Sequence, residues 1–291
     1  MRYEGPIYRP PSEADSLLIQ ATVGCPHNKC TFCMVYKKGP KYRVRPAEEV
    51  IEDLKAARAA YGSRVRTIFF PAGNTIAAPV ETLEAVFKAA CSIFPELRRI
   101  TVYGSSRYIL EKGEAGLRRL SAAGLTRIHV GLESGNEAVL ADIKKGAARA
   151  DQIRAAKMLK AAGIENSSYV MLGIGGKNLS TAHATDTASA LNEIAPEYVR
   201  LRTFVPKKET PLLRRVEKGE FDMCGPHQVL EETKLLVENL EIASSIRSDH
   251  YTNYISISGE LPEDRDRMLR RIDEALKRPE KSFRPFFVGT Q

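Results

Sequence analysis

Cys25-Pro26-His27-Asn28-Lys29-Cys30-Thr31-Phe32-Cys33-Met34-Val35-Tyr36-Lys37 places three cysteines within nine positions, directly after an apolar run from Leu17 to Val23. A loop leaving a strand can fold three thiolates onto one centre, and soft sulfur donors at that density suit zinc or an iron–sulfur cluster. The number of thiols discriminates between them. A closed structural zinc site takes four ligands, whereas three thiolates around a four-iron cluster leave one iron open to another molecule. His27 would have to complete a zinc site, yet it stands too near Cys25 to form the paired C-x2-C arrangement of zinc folds. Cysteines without a metal are usually scattered through a core rather than gathered in one loop.

The stretch resembles the cluster loop of the radical S-adenosylmethionine superfamily, whose usual spacing is C-x3-C-x2-C with an aromatic residue before the third cysteine. Here the spacing is C-x4-C-x2-C, and Phe32 fills the aromatic place. A loop can absorb one residue, so the departure leaves the subfamily unassigned rather than the ligation. The resemblance implies that Cys25, Cys30 and Cys33 each ligate one iron of a 4Fe-4S cluster. It also implies that the fourth iron takes the amino nitrogen and carboxylate of S-adenosylmethionine, with Phe32 against the adenine. The activity implied is reductive cleavage of S-adenosylmethionine to a 5'-deoxyadenosyl radical that takes a hydrogen atom from a small-molecule substrate. A flavodoxin- or ferredoxin-like protein would deliver the electron, and the enzyme would be an oxygen-sensitive monomer.

A chain of 291 residues is long enough for one large α/β domain, and 43% hydrophobic with 27% charged residues is the composition of a soluble globular protein. The residues up to Asp15 are polar and proline-bearing, and no stretch approaches about 18 consecutive apolar residues. These features predict a cytoplasmic protein with neither signal peptide nor membrane span. Five cysteines, three of them clustered, make no disulfide framework and fit a reducing compartment. Cys91 lies in the apolar pattern from Phe87 to Phe94 and is expected in the core; it and Cys224 cannot hold a second cluster. The balance of 44 basic against 36 acidic residues, +8, permits an anionic substrate or nucleic acid without requiring either. Basic concentrations from Lys37 to Arg45 and from Lys207 to Arg215 read as solvated faces ahead of phosphate contacts.

Strand-like segments at 17–23, 67–70, 100–103, 127–131, 168–172 and 198–204 alternate with helical patterns. The helices open at Pro46, run from Val80 to Phe94, lie around Gly116 to Ala123, and run from Asp151 to Ala162. Gly62, Gly124 and Gly163 close three of them. Six such steps within residues 1–205 predict an α/β fold, a partial (β/α)6 TIM-like barrel. Residues 206–291, with helices opening at Pro226 and Pro262, are expected to form a C-terminal helical extension that packs on the barrel and closes the substrate cavity.

In such folds ligands gather at the carboxyl ends of the strands, where the unusual loops of this chain fall. By resemblance, Gly73 and Asn74 meet the methionyl amino group, although the usual acidic residue is absent. Ser105, Ser106 and Arg107 resemble the ribose and carboxylate contacts, for which a bidentate guanidinium is suited. Glu133 resembles the polar residue that faces the cofactor from the fourth strand. Gly173 and Gly175 resemble the backbone edge near the adenine, where a missing side chain lets the ring approach. Taken singly, each glycine after a strand is ordinary turn chemistry. Gly173 to Gly176 does not satisfy G-x-G-x-x-G, no Walker lysine is present, and no G-x-S-x-G elbow exists, which disfavours nicotinamide, ATP and serine-hydrolase chemistry.

Beyond residue 204 stands Ser248-Asp249-His250-Tyr251-Thr252-Asn253-Tyr254. It reads either as a surface turn or as a wall of the substrate cavity, with His250, Tyr251 and Tyr254 supplying hydrogen bonds, a proton or a hydrogen atom. Two further functions stand beside the leading one. A radical enzyme modifying RNA would use the basic balance, although no separate RNA-binding module is visible. A zinc-stabilised binding protein would have no catalysis at all.

Overall fold

The computed structural model describes residues 1–289. The first apolar run is not one strand. Leu17–Leu18 (β1) joins the main sheet, whereas Thr22–Val23 (β2) pairs antiparallel with Arg43–Val44 (β3) in a separate two-stranded sheet. The reason lies in the residues between. The Gln20 side chain is bonded to the Glu4 backbone, and the Gln20 carbonyl accepts from Arg45 Nη1 at 2.6 Å, so the backbone leaves the ladder. Arg45 is therefore buried, 2.8 Å from the equally buried Asp53, and is not part of a solvated basic face.

The chain then runs through Ala47–Tyr61 (α1), Thr67–Phe70 (β4), Val80–Ile93 (α2), Arg99–Gly104 (β5), Ser106–Ala122 (α3) and Leu125–Glu133 (β6). Glu137–Asp142 (α4), Arg149–Ala161 (α5), Glu165–Leu172 (β7), Gly176–Ile194 (α6) and Tyr198–Thr203 (β8) follow. The remainder holds Pro211–Glu217 (α7), Pro226–Glu238 (α8), Ser244–Arg247 (β9), Gly259–Leu261 (β10) and Arg265–Leu276 (α9). The main sheet has eight strands in the order β1-β4-β5-β6-β7-β8-β9-β10. Strands β1, β4, β5 and β6 pair in parallel, as do β7, β8 and β9; β10 returns antiparallel to β9. The six expected strands of the partial barrel are present in sequence order, and the segment after residue 205 adds two more as well as its helices. No helix among the described residues is long and apolar enough to cross a membrane.

By its internal contacts the chain divides into two compact units. One holds Met1–Asn28, Val35–Val130 and Arg154–Asn166; the other holds Lys29–Met34, Gly131–Ile153 and the chain from Ser167 onward. In the first, strand alternation separates two kinds of residue. Ile68, Phe70, Ile100, Val102, Ile128 and Val130 pack with Leu54, Phe87, Leu117 and their neighbours on α1, α2 and α3, each such burial contributing roughly 1.5–3 kcal/mol. The alternate residues Phe69, Tyr103 and His129 form edge and tilted ring contacts with one another. Helix α3 begins ten residues before the predicted one because its pattern is interrupted by Gly113, whose φ of 64° and ψ of 167° are not helical. Cys91 is exposed rather than in the core. It sits one position past the buried Ala90, and a helix turns its side chain off the face formed by Leu83, Val86, Phe87 and Ala90.

Beneath His129 lies Glu13, fully buried, 3.1 Å from His129 Nε2 and 3.1 Å from Arg99 Nη2. Burial alone would raise its carboxyl, but hydrogen bonds from His129 and Ser16, with Arg99 beside them, hold it at about 2. A depressed folded-state pKa makes this contribution complete above roughly pH 4.5 and lost as pH falls toward 2. Urea unfolding across that window is expected to show a shallower loss of stability for Glu13→Gln than for the parent chain. Parallel pH profiles would exclude the role.

Candidate active site

In the first unit the cysteine loop starts where two backbone segments touch. Gly24 has φ +74°, and a Cβ there would lie 2.7 Å from the Pro40 carbonyl oxygen. The Gly73 amide donates to the Gly24 carbonyl at 3.1 Å, and a Cβ on Gly73 would lie 2.5 Å from Cys25 Cβ. Gly73 thus gives Cys25 its room. Asn74, buried beside it, spans to the end of β5: its Nδ2 donates to Ser105 Oγ at 2.9 Å and its Oδ1 accepts from the Ser105 amide at 3.1 Å. Ser106 is buried in the first turn of α3. Arg107 projects from that turn, exposed and paired with Glu111 at 3.0 Å. The Tyr42 hydroxyl is buried without a hydrogen-bond partner, and burial, with Tyr108 and Cys25 adding to it, pushes its pKa up to about 12.

In the second unit the Lys29–Met34 segment is held through Thr31, whose amide donates to the Ile143 carbonyl at 2.9 Å and whose carbonyl accepts from the Leu212 amide at 3.0 Å. Between Cys30 and Cys33, Phe32 packs against the apolar group of Ile143, Met171, Ile174, Phe204, Leu212 and Phe221. None of the five cysteines forms a disulfide. Among the described residues, no three histidine, cysteine, aspartate or glutamate side chains converge as a ready-made metal site.

Glu133 ends β6 with φ +64°, a left-handed conformation that costs a residue with a side chain of order 1 kcal/mol or more. Its Oε1 lies 3.1 Å from Lys145 Nζ, the two side chains being only 10% and 9% exposed, while Oε2 is buried with no hydrogen-bond partner. A Cβ at Gly131 would meet that ion pair at 2.5 Å. A carboxylate oxygen in this condition has a deficit that a hydroxyl or ammonium donor would satisfy.

The next residues continue as a buried network. Ser134 Oγ and His183 Nδ1 share a hydrogen bond of 2.8 Å, and His183 Nε2 is 3.5 Å from Glu232 Oε1. Glu232 also accepts from the Gly173 amide and from Ser180 Oγ, each at 2.6 Å. This carboxylate fastens the turn after β7 to α8. Gly173 has φ +76°, Gly176 donates back to the Gly173 carbonyl at 3.1 Å, and Gly175 lies close to Leu179 and His183. The two predicted glycines therefore shape the entry to α6. Neither His183 nor Glu232 is singled out by a motif. The available signal for Glu232 was a charge on the buried face of α8, among Val229, Thr233 and Leu236.

The histidine–tyrosine segment does not act as one group. His250 Nδ1 is 2.7 Å from Thr252 Oγ1, and its ring lies 4.6 Å from that of Tyr251, which is exposed. Burial, with Arg202 and Lys207 nearby, pulls the His250 pKa down to about 4, so the ring is neutral at pH 7. Tyr254 faces elsewhere, against Phe283 and under the Arg284 guanidinium. Asn253, read only as part of a polar cluster, holds the loop to β8 by accepting from the Thr203 amide at 2.7 Å and donating to the Leu201 carbonyl at 2.8 Å.

A family model described as the radical SAM superfamily matches residues 19–187. Biotin synthase of Picosynechococcus sp. is 27% identical over 278 residues, covering 88% of this chain and 73% of that protein. An uncharacterised protein of Methanocaldococcus jannaschii is 24% identical over 270 residues, covering 88% and 82%. Methylornithine synthase superposes with a TM-score of 0.54 at 16% identity, over 92% of this chain and 84% of that one. The methyltransferase TsrM of Kitasatospora setae, solved with cobalamin and a 4Fe-4S cluster bound, gives 0.57 at 18%, over 70% of this chain but only 39% of its own. At these identities the structural likeness establishes the fold.

Two outcomes follow from the electrostatics of these sites. Lys145→Met is expected to destabilise the protein by about 3 kcal/mol, because Glu133 is left as a buried charge without its cation, and adding Glu133→Gln should restore most of the loss. Additive losses in chemical denaturation would refute the coupling. The His250 ring should titrate near pH 4 by NMR, and Lys207→Met should raise that midpoint by removing a cation.

Proposed function

The chain belongs to the radical S-adenosylmethionine superfamily, and on that premise we propose that Cys25, Cys30 and Cys33 are the three ligands of its 4Fe-4S cluster. It is an enzyme whose cofactors are that cluster and S-adenosylmethionine, and it acts on a substrate with the help of a reductant. The zinc-stabilised, non-catalytic reading is thereby set aside. The observation that carries the assignment is the C-x4-C-x2-C run inside the matched region. When bound, the cofactors supply one-electron cleavage of a sulfonium and a 5'-deoxyadenosyl radical able to take a hydrogen atom from carbon.

The protein's own groups fit that cargo. Cys25, Cys30 and Cys33 would hold the iron as thiolates, because a bound cation favours the deprotonated sulfur. Gly73 leaves Cys25 the space to turn, and the two hydrogen bonds between Asn74 and Ser105 fix the strand ends beside which the methionyl part would lie. Glu133, paired through Oε1 with Lys145, has Oε2 available to accept from a ribose hydroxyl or an ammonium. Ser106 and Arg107 at the head of α3 would receive the carboxylate, which requires Arg107 to leave Glu111. That exchange is inexpensive, because an exposed i,i+4 pair contributes about 0.3–0.5 kcal/mol. Phe32 offers a ring edge beside the adenine, and the Gly173 to Gly175 turn offers backbone. His250, neutral at pH 7, serves as a hydrogen-bonding group rather than as an acid, with Tyr251 and Tyr254 as the phenolic partners.

Residues 206–291 would close the substrate site around a small molecule. A flavodoxin- or ferredoxin-like protein in the cytoplasm would supply the electron, since the cluster must be reduced one electron at a time. Anaerobic reconstitution tests the core of the proposal. The parent chain should take up about four irons, absorb near 400 nm as thiolate–iron charge transfer does, and release 5'-deoxyadenosine on reduction. Cys25→Ala, Cys30→Ala and Cys33→Ala should each lose the bound iron and the product, whereas Cys91→Ala should lose neither. Retention of a full cluster by any of the three would overturn the ligand set.

A further inference from the structure

Directly after β8, Phe204, Val205 and Pro206 open onto a cavity of about 720 Å³ within the second unit. That volume is in the range of small-molecule sites, and its position at the carboxyl end of a strand is where α/β folds bind ligands. Five aromatic rings are among its walls, Phe204, Tyr254, Phe283, Phe286 and Phe287, together with the buried Cys224 thiol. One cation stands among them. The Arg284 guanidinium lies 4.4 Å from the Tyr254 ring centre and 4.9 Å from that of Phe287.

The donors of Arg284 are only partly used. Nε donates to the Thr252 carbonyl at 3.1 Å, and Nη2 donates to the same oxygen. A guanidinium has five N–H donors, so the two parallel N–H groups at its end remain for another acceptor. No carboxylate among the described residues neutralises it. Glu280 also lines the cavity, but its Oε1 is engaged by the His227 amide at the head of α8, 3.1 Å away. Lys281 adds a second positive charge at the rim. Two cations against one occupied acid make an apolar cavity with an anion-binding end.

We propose that this cavity binds a substrate carrying a carboxylate on a flat, unsaturated body, the carboxylate held bidentately by Arg284 and the body stacked among Phe204, Tyr254, Phe283 and Phe287. A carboxylate matches the two coplanar donors of one guanidinium end, whereas a phosphate would leave most of its oxygens facing aromatic carbon. The proposal rests on the reading of residues 206–291 as the wall of the substrate site and narrows the substrate to aromatic or conjugated acids. Stacking and charge act together here, because the rings that hold the guanidinium in place also desolvate it and strengthen its hold on an anion.

The test uses the full chain after anaerobic reconstitution with iron and sulfide and two matched probes, 2-naphthoate and the uncharged 2-naphthylmethanol, measured by calorimetry or equilibrium dialysis. The acid should bind at least about tenfold more tightly than the alcohol. Arg284→Gln should remove that preference and leave alcohol binding unchanged. Arg284→Lys, which keeps the charge but not the fork, should give an intermediate loss and provides the decisive variant if Arg284→Gln fails to fold. Equal affinity for the two probes, acid binding insensitive to both variants, or no binding of either up to about 5 mM would overturn the proposal. Iron content, measured on the same samples, reports separately on the cluster assignment. Acid binding without iron would sink that assignment alone, and iron without acid binding would sink only the substrate class.

Discussion

Close approach of the backbone at Gly24 and Gly73 is the constraint on which the site depends. The two segments share a hydrogen bond at 3.1 Å, and neither position has space for a Cβ. Cys25 leaves the sheet at that junction. The other two cysteines lie on a segment anchored by different means, through both backbone groups of Thr31 and the apolar seat of Phe32. Each part of the loop is thus anchored within its own unit through backbone and apolar contacts, without using the thiols themselves.

Three buried carboxylates differ in how far the protein satisfies them. Glu13 is bonded to His129, Ser16 and Arg99. Glu232 is bonded to Gly173 and Ser180 and lies beside His183. Both are fully used by the protein and have structural work to do. Glu133 differs: one oxygen has its lysine, the other has no partner, and the backbone that presents it is in a left-handed conformation. Strain together with an unsatisfied acceptor sets Glu133 apart from these two structural carboxylates.

The segment after residue 205 is more than a helical cap. It continues the main sheet through β9 and β10 and brings Arg284 and four rings around a cavity at the end of β8.

Much of this was determined by local sequence. The C-x4-C-x2-C run, the strands at 67–70, 127–131 and 168–172, and the helices ending at Gly62 and Gly163 are readable because periodicity and turn chemistry act over a few residues. Other features were decided only by tertiary structure. Leu17 to Val23 splits because Arg45 claims the Gln20 carbonyl from 25 residues away, and Arg45 is buried because Asp53 neutralises it. Cys91 is exposed because a helix face is one residue narrower than its apolar pattern. The partners of Glu232, and the Tyr254 ring against Arg284, come from segments far apart in the chain. Which charge meets which depends on the packing of whole elements, and a linear pattern of residue types carries no record of those distances.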